Sequence, residues 1–256
     1  MKITGNKLYQ RVAASVTEGI EAGRWAVGTR LPGERDLADE YKVSRPTIRE
    51  AMIALEMQGW IEVRHGSGLY VTRRDHGAGR REDALNFDVG AFDLIEARIL
   101  FEGEAVALAA VSITDEQLAE LDALLEEMAA DDPNEPMVID ADRRFHLAIA
   151  NATGNAAIRS VIEYLWELRV KSPLAANMFA RARRGGVTPR VDEHRPILAA
   201  LKARDPNAAR NAMRLHLRGV VDDLLEATEL EVMERARNEL DARRDSVSKR
   251  LEIGSV

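Results

Sequence analysis

The chain holds 256 residues, 46% of them hydrophobic, with a net charge of −7 and no cysteine. That length and apolar content suffice for one large or two modest buried cores, and the missing thiols exclude disulfides, thiolate metal sites and cysteine nucleophiles. No apolar stretch has the length of a membrane span, and the opening MKITGNKLYQRV lacks a signal peptide's hydrophobic run, so a cytoplasmic location is expected.

The charge is unevenly spread. Residues 1–74 carry 12 basic and 9 acidic residues, a balance of +3, whereas the remainder carries 24 basic and 34 acidic, a balance of −10. A slightly basic first segment on an acidic body favours contact with a polyanion through the first segment alone.

In chain order, Leu8, Val12, Val16 and Ile20 recur at steps of four and predict a first helix over 7–22, closed by Gly23. Trp25 and Val27 then lead through Gly28 to Leu31-Pro32. A short amphipathic helix over Glu34–Tyr41, the turn Lys42-Val43-Ser44 and a second helix over Arg45–Gln58 follow. So short a turn forces a steep crossing, filled by Leu37, Ala38, Val43, Ile48, Met52 and Leu55. Ser44 has the hydroxyl of a helix cap, and Pro46 falls in the first turn, where no intrahelical partner is lost. Ile61 and Val63, the run His65-Gly66-Ser67-Gly68, then Leu69 and Val71 predict a hairpin with a slim tip.

This order is that of a winged helix-turn-helix. Arg45, Thr47 and Arg49 are expected outside, on the turns of a recognition helix that enter the major groove, with Arg35 and Arg64 nearby. Arginine forks there fit guanine O6 and N7, and Thr47 fits a phosphate or a thymine methyl. The stretches LPGERDLADEYKVSRPTIREAM and RHGSGLYV resemble the N-terminal domain of GntR-type bacterial regulators. The resemblance implies operator contacts from Arg35, Arg45, Thr47, Arg49, His65 and Gly66. Pro46 departs from the small hydroxyl residue that many relatives carry there.

RRDHGAGRR reads as a linker, and from Asp83 on the pattern is helix after helix. Helical spacing covers segments near 84–88, 91–111, 114–130, 136–152, 154–171, 174–183, 189–203 and 206–240, with a capping pattern opening at Thr114. The expected fold is mainly α: a winged helix-turn-helix over 1–74, a linker over 75–83, an all-α bundle over 84–230 and a charged extension over 231–256.

Two polar constellations fall on apolar helix faces of the bundle. Asp142 and His146 are four apart, which stacks them on one face, and His194 and His216 sit on two further helices. Each histidine alone fits a core residue bonded to a backbone carbonyl; together with the aspartate they fit a divalent ion, zinc foremost, with nickel and manganese as alternatives. Arg98 and Glu102 lie on the stripe Ile95, Ile99, Val106 and Ala109. A buried guanidinium needs an anion, which is either Glu102 or the carboxylate of a ligand.

The phrases EARILFEGEAVALAA, FHLAIANATGN, YLWELR and EHRPILAALKARDPNAARNAMRLHL resemble the FCD class of GntR effector domains, closest to its hexuronate-responsive branch. That resemblance implies Asp142, His146, His194 and His216 as metal ligands and Arg98 as the anchor of an organic acid. Trp166, Arg169 and Asn177 are candidates for sugar hydroxyls. The expected protein is therefore a regulator, a homodimeric repressor on palindromic DNA controlled by a sugar acid and not an enzyme. The alternatives are a smaller effector such as lactate, a dicarboxylate or an amino acid, and, in another class, a metal-dependent enzyme built on the same four ligands.

Overall fold

The computed structural model describes residues 8–64, 68–72, 89–129 and 136–227, with the side chains of 136–139 excepted. They form two compact units, one running from Leu8 to Thr72 and the other from Val89 to Ala227. The expected linker and the charged extension lie outside the described residues.

In the first unit, α1 (Leu8–Glu21) packs on α3 (Arg45–Met57), and α2 (Glu34–Tyr41) crosses α3 after a turn in which Lys42 takes a left-handed conformation, φ 54°. The buried face of α1 is Tyr9, Val12, Ala13 and Val16, while Leu8 is about half exposed. The expected four-residue stripe is thus rotated: Tyr9 offers more apolar area than Leu8 and takes the inner position. Leu37, Ala38, Ile48, Met52 and Leu55 fill the crossing as expected, and Val43 is half-buried. Ser44 caps α3, its Oγ accepting from the Thr47 backbone N–H at 3.3 Å. Gly19 is required where it stands, because a Cβ there would meet the Trp25 ring at 2.6 Å.

Strands β1 (Ile61–Arg64) and β2 (Gly68–Val71) pair antiparallel in the register Ile61 to Val71 and Val63 to Leu69. Period-two alternation puts these four side chains on the same face, with Ile61 and Val71 buried. Arg30 adds a single bridge to Tyr70. This is the winged helix-turn-helix expected from the sequence.

The second unit is all helical among the described residues: α4 (Ala91–Ser112), α5 (Asp115–Met128), α6 (Pro136–Ala152), α7 (Ala156–Lys171), α8 (Pro173–Arg184), α9 (Val191–Lys202) and α10 (206–227). Thr114 opens α5 through a reciprocal cap, its Oγ1 accepting from Gln117 N–H while Gln117 Oε1 accepts from Thr114 N–H. Helix α4 packs against α6, α7, α8 and α9, which makes it the spine of the bundle. Helix α10 is tied to α4 through Arg210 and Arg214, which both donate to Glu104 at 2.9 Å. No helix among the described residues is long and apolar enough to cross a membrane.

Candidate functional site

Asp142 and His146 come from α6, His194 from α9 and His216 from α10. All four are buried, and one ligand atom from each falls within 4.8 Å of the others. The surroundings fix the rings. His194 Nδ1 lies 2.8 Å from the Arg190 carbonyl, and its Nε2 is 3.1 Å from Asp142 Oδ1. His216 Nδ1 lies 3.2 Å from Glu193 Oε2. His146 Nδ1 is 2.5 Å from Glu102 Oε2 and Nε2 is 3.6 Å from Asp142 Oδ1, yet neither nitrogen makes a well-aligned hydrogen bond. An outward Nδ1 contact that orients the opposite nitrogen is the usual setting of a metal-binding imidazole.

The protonation states are split: burial lowers the His146 pKa, but Glu102 and Asp142 outweigh it and raise it, whereas Asp142 and His216 favour their ligating forms. Burial opposes ionisation of Asp142, but the neighbouring His146 and His194 rings outweigh it and hold the carboxyl well below the usual range. Burial pushes the His216 imidazole down to about 4, which keeps its lone pair available at neutral pH. A buried carboxylate, a neutral imidazole and a histidine whose ring nitrogens lack aligned partners fit a divalent ion better than they fit one another.

Next to this cluster, Arg98 on α4 donates through Nε to Glu102 Oε1 at 2.6 Å and through Nη2 to Oε2 at 3.4 Å. Both residues are 2% exposed. Burial works against the Glu102 charge, but Arg98 and His146 pull its pKa down to about 2. Of the alternatives left open by the sequence, the ion pair with Glu102 is therefore made. Glu102 has a second role in holding His146 and does not line the cleft, contrary to its expected place against a ligand.

A cleft opens beside the cluster, lined among others by Arg98, Asp142, Arg169, Arg183, Arg190 and His216. Arg169 Nη1 reaches Asp142 Oδ2 at 3.4 Å, and its guanidinium sits 4.3 Å from the Phe179 ring centroid. Trp166, 3% exposed, stacks under Arg98 at 4.1 Å. Asn177 stands apart: its Oδ1 accepts from Arg181 Nε at 2.7 Å, and it lines neither this cleft nor the one behind it. Glu193 and Arg183 had not been singled out. Glu193 follows directly before His194, and its nearness to His216 depends on the packing of α9 on α10, which no spacing shows.

In the first unit, Arg35, Ser44 and Arg45 are exposed and Thr47 is half-buried, its hydroxyl 2.8 Å from that of Ser44. Arg64 is exposed, with its guanidinium 4.6 Å from the Tyr70 ring centroid and Nε bonded to Glu62. Arg49 corrects the expectation. It is 6% exposed, not outside, and is held by Glu34 through Nε at 2.9 Å and Nη2 at 2.5 Å. Helix α2 crosses low enough over α3 for its first residue to cover the position one turn past Arg45. His65 and Gly66 lie outside the described residues.

Residues 8–71 match the family of bacterial regulatory proteins, gntR family, and residues 93–219 match the FCD domain. The chain is 37% identical over 224 residues to the Exu regulon transcriptional regulator of Escherichia coli K12, covering 85% of this chain and 84% of that protein. It is 34% identical over 227 residues to the Uxu operon transcriptional regulator of the same strain, covering 85% and 87%. Against the Uxu operon regulator of Haemophilus influenzae the identity is 32% over 230 residues, covering 88% and 85%.

Proposed function

The chain belongs to the GntR family of DNA-binding transcriptional regulators, with an FCD domain as its second half, and from this premise we propose that it represses sugar-acid catabolism under the control of a hexuronate. The observation that carries the proposal is the convergence of Asp142, His146, His194 and His216 beside the arginine-lined cleft. The kinship with regulators named for the Exu regulon and Uxu operon supports hexuronate as the acid. The same kinship favours a regulator over an enzyme.

Those four side chains would hold a divalent ion, zinc foremost for three imidazoles and a carboxylate. When bound, the ion supplies a positive pole for a ligand carboxylate. Arg98 contributes Nη1, the edge left outside its fork to Glu102, and Arg169 contributes a second guanidinium held between Trp166 and Phe179. Asp142, His216 and both arginines thus enclose the acid end, while Thr188 and Glu193 meet hydroxyls.

In the first unit, exposed Arg35 and Arg45 would meet operator DNA from α2 and α3, with His65 and Gly66 at the wing tip. Binding to a palindrome needs two copies. The supporting feature is an exposed apolar face on the packed helices α4 and α7: Leu100, Leu108 and Val111 on one, Val161 and Tyr164 on the other. The effector acts by binding one arrangement of the dimer better than the other, and its leverage is that difference in affinity.

Thermal unfolding of metal-loaded and chelator-stripped protein tests the reading against galacturonate, glucuronate, their keto isomers and a panel of small acids. A rise in midpoint with hexuronates that vanishes on stripping is expected. A rise with lactate, dicarboxylates or amino acids alone would replace the effector, and no rise with any acid would refute the site.

A further inference from the structure

Arg169, Phe179 and Arg183 form a wall with a second cleft of about 460 Å³ behind it, bounded by α6, α7 and α8. This outer cleft lacks the four candidate metal ligands. Its lining holds four cations, Arg143, Arg169, Lys171 and Arg183, against two carboxylates, Asp140 and Glu167. Glu167 is taken by Lys171 at 2.6 Å, and Asp140 lies 4.0 Å from Arg144. The side chains of Arg143 and Arg183 make no close ion pair or hydrogen bond among the described residues, although Arg143 lies near enough to Glu167 to help lower its pKa.

Trp166, Val170, Ala176 and Phe179 supply apolar surface beside these cations.

We propose that the outer cleft between α6, α7 and α8 is a second small-molecule site that takes a phosphorylated sugar, its phosphate on Arg143 and Arg183. Two guanidiniums match the planar forks that a phosphate dianion accepts, better than a single carboxylate would need. The apolar patch meets the C–H face of the sugar. Because Arg169 lines both clefts, a ligand in one alters the side chain offered to the other, which couples the two sites. The proposal stands apart from the metal reading, since none of its contacts is a metal ligand.

Isothermal titration of the full-length, zinc-dialysed protein with glucose 6-phosphate, inorganic phosphate and galacturonate tests it. Saturable binding of glucose 6-phosphate is expected, weakened about tenfold by Arg143→Gln at a half-buried position or by Arg183→Gln at an exposed one. His146→Ala, which disables the inner site, should leave that binding in place. Glucose 6-phosphate binding that is absent, indifferent to Arg143→Gln, or lost with His146→Ala overturns the proposal. So does galacturonate binding that Arg143→Gln abolishes, because the cleft would then serve carboxylates. Loss of the galacturonate response on chelation is read separately and bears on the inner site alone.

Discussion

Two buried arginines, one in each unit, are paired with glutamates, and the pairs differ in one respect. Arg49 and Glu34 meet at 2.5 Å with side chains 7% and 26% exposed, whereas Arg98 and Glu102 meet at 2.6 Å with 3% and 2%. The first pair keeps its acid at the edge of water, so a polyanion can displace Glu34, which then rehydrates. Separating the second would strand Glu102 in the bundle, with only His146 beside it. We propose that the same chemistry serves as an openable latch in the winged unit and as a fixed frame in the helical unit.

The largest effect that would break this comparison is on stability. Arg98→Ala leaves a buried carboxylate without its guanidinium and is expected to cost about 3–5 kcal/mol in urea unfolding. A loss under about 1 kcal/mol would mean that Glu102 is satisfied elsewhere and the frame is no frame. Next in size, Arg45→Ala should weaken operator binding by about 1–3 kcal/mol and blur base preference, read by anisotropy on matched and scrambled sites. A uniform loss on all sequences would demote Arg45 to a phosphate contact.

The smallest effect sharpens the latch. Glu34→Gln removes the carboxylate that competes for Arg49, so operator affinity should rise a few-fold and the salt slope should steepen by about one counterion. Unchanged affinity and slope would make the Arg49–Glu34 pair a structural brace that stays shut on DNA.

The contrast also explains what the sequence disclosed. In the winged unit the local signals were strong: the three-residue turn, the Ser44 cap and the alternation of Ile61, Val63, Leu69 and Val71 specify helix, helix and hairpin almost to the residue. What failed was Arg49, because its partner Glu34 lies 15 residues upstream on another helix and helical spacing describes only neighbours on the same helix.

In the bundle, polar residues on apolar stripes marked Arg98, Glu102, Asp142 and His146 as interior. The i, i+4 rule paired Arg98 with Glu102, but the contact from Glu102 to His146 joins α4 to α6 and leaves no trace in spacing. His194 and His216 were grouped with them from their places on apolar helix faces, but their convergence depends on how three helices pack and leaves no trace in spacing. Asn177 was chosen for chemistry alone and bonds within its own helix.

The central claim is that a carboxylate effector held at the Asp142, His146, His194 and His216 cluster controls DNA binding. Its most direct test is the anisotropy of a labelled operator fragment with zinc-loaded wild type and with His146→Ala, each titrated with galacturonate. The account predicts that galacturonate releases DNA from wild type, while His146→Ala binds the same operator and ignores the ligand. Release that is equal in both proteins would contradict it, as would wild-type binding that no hexuronate alters.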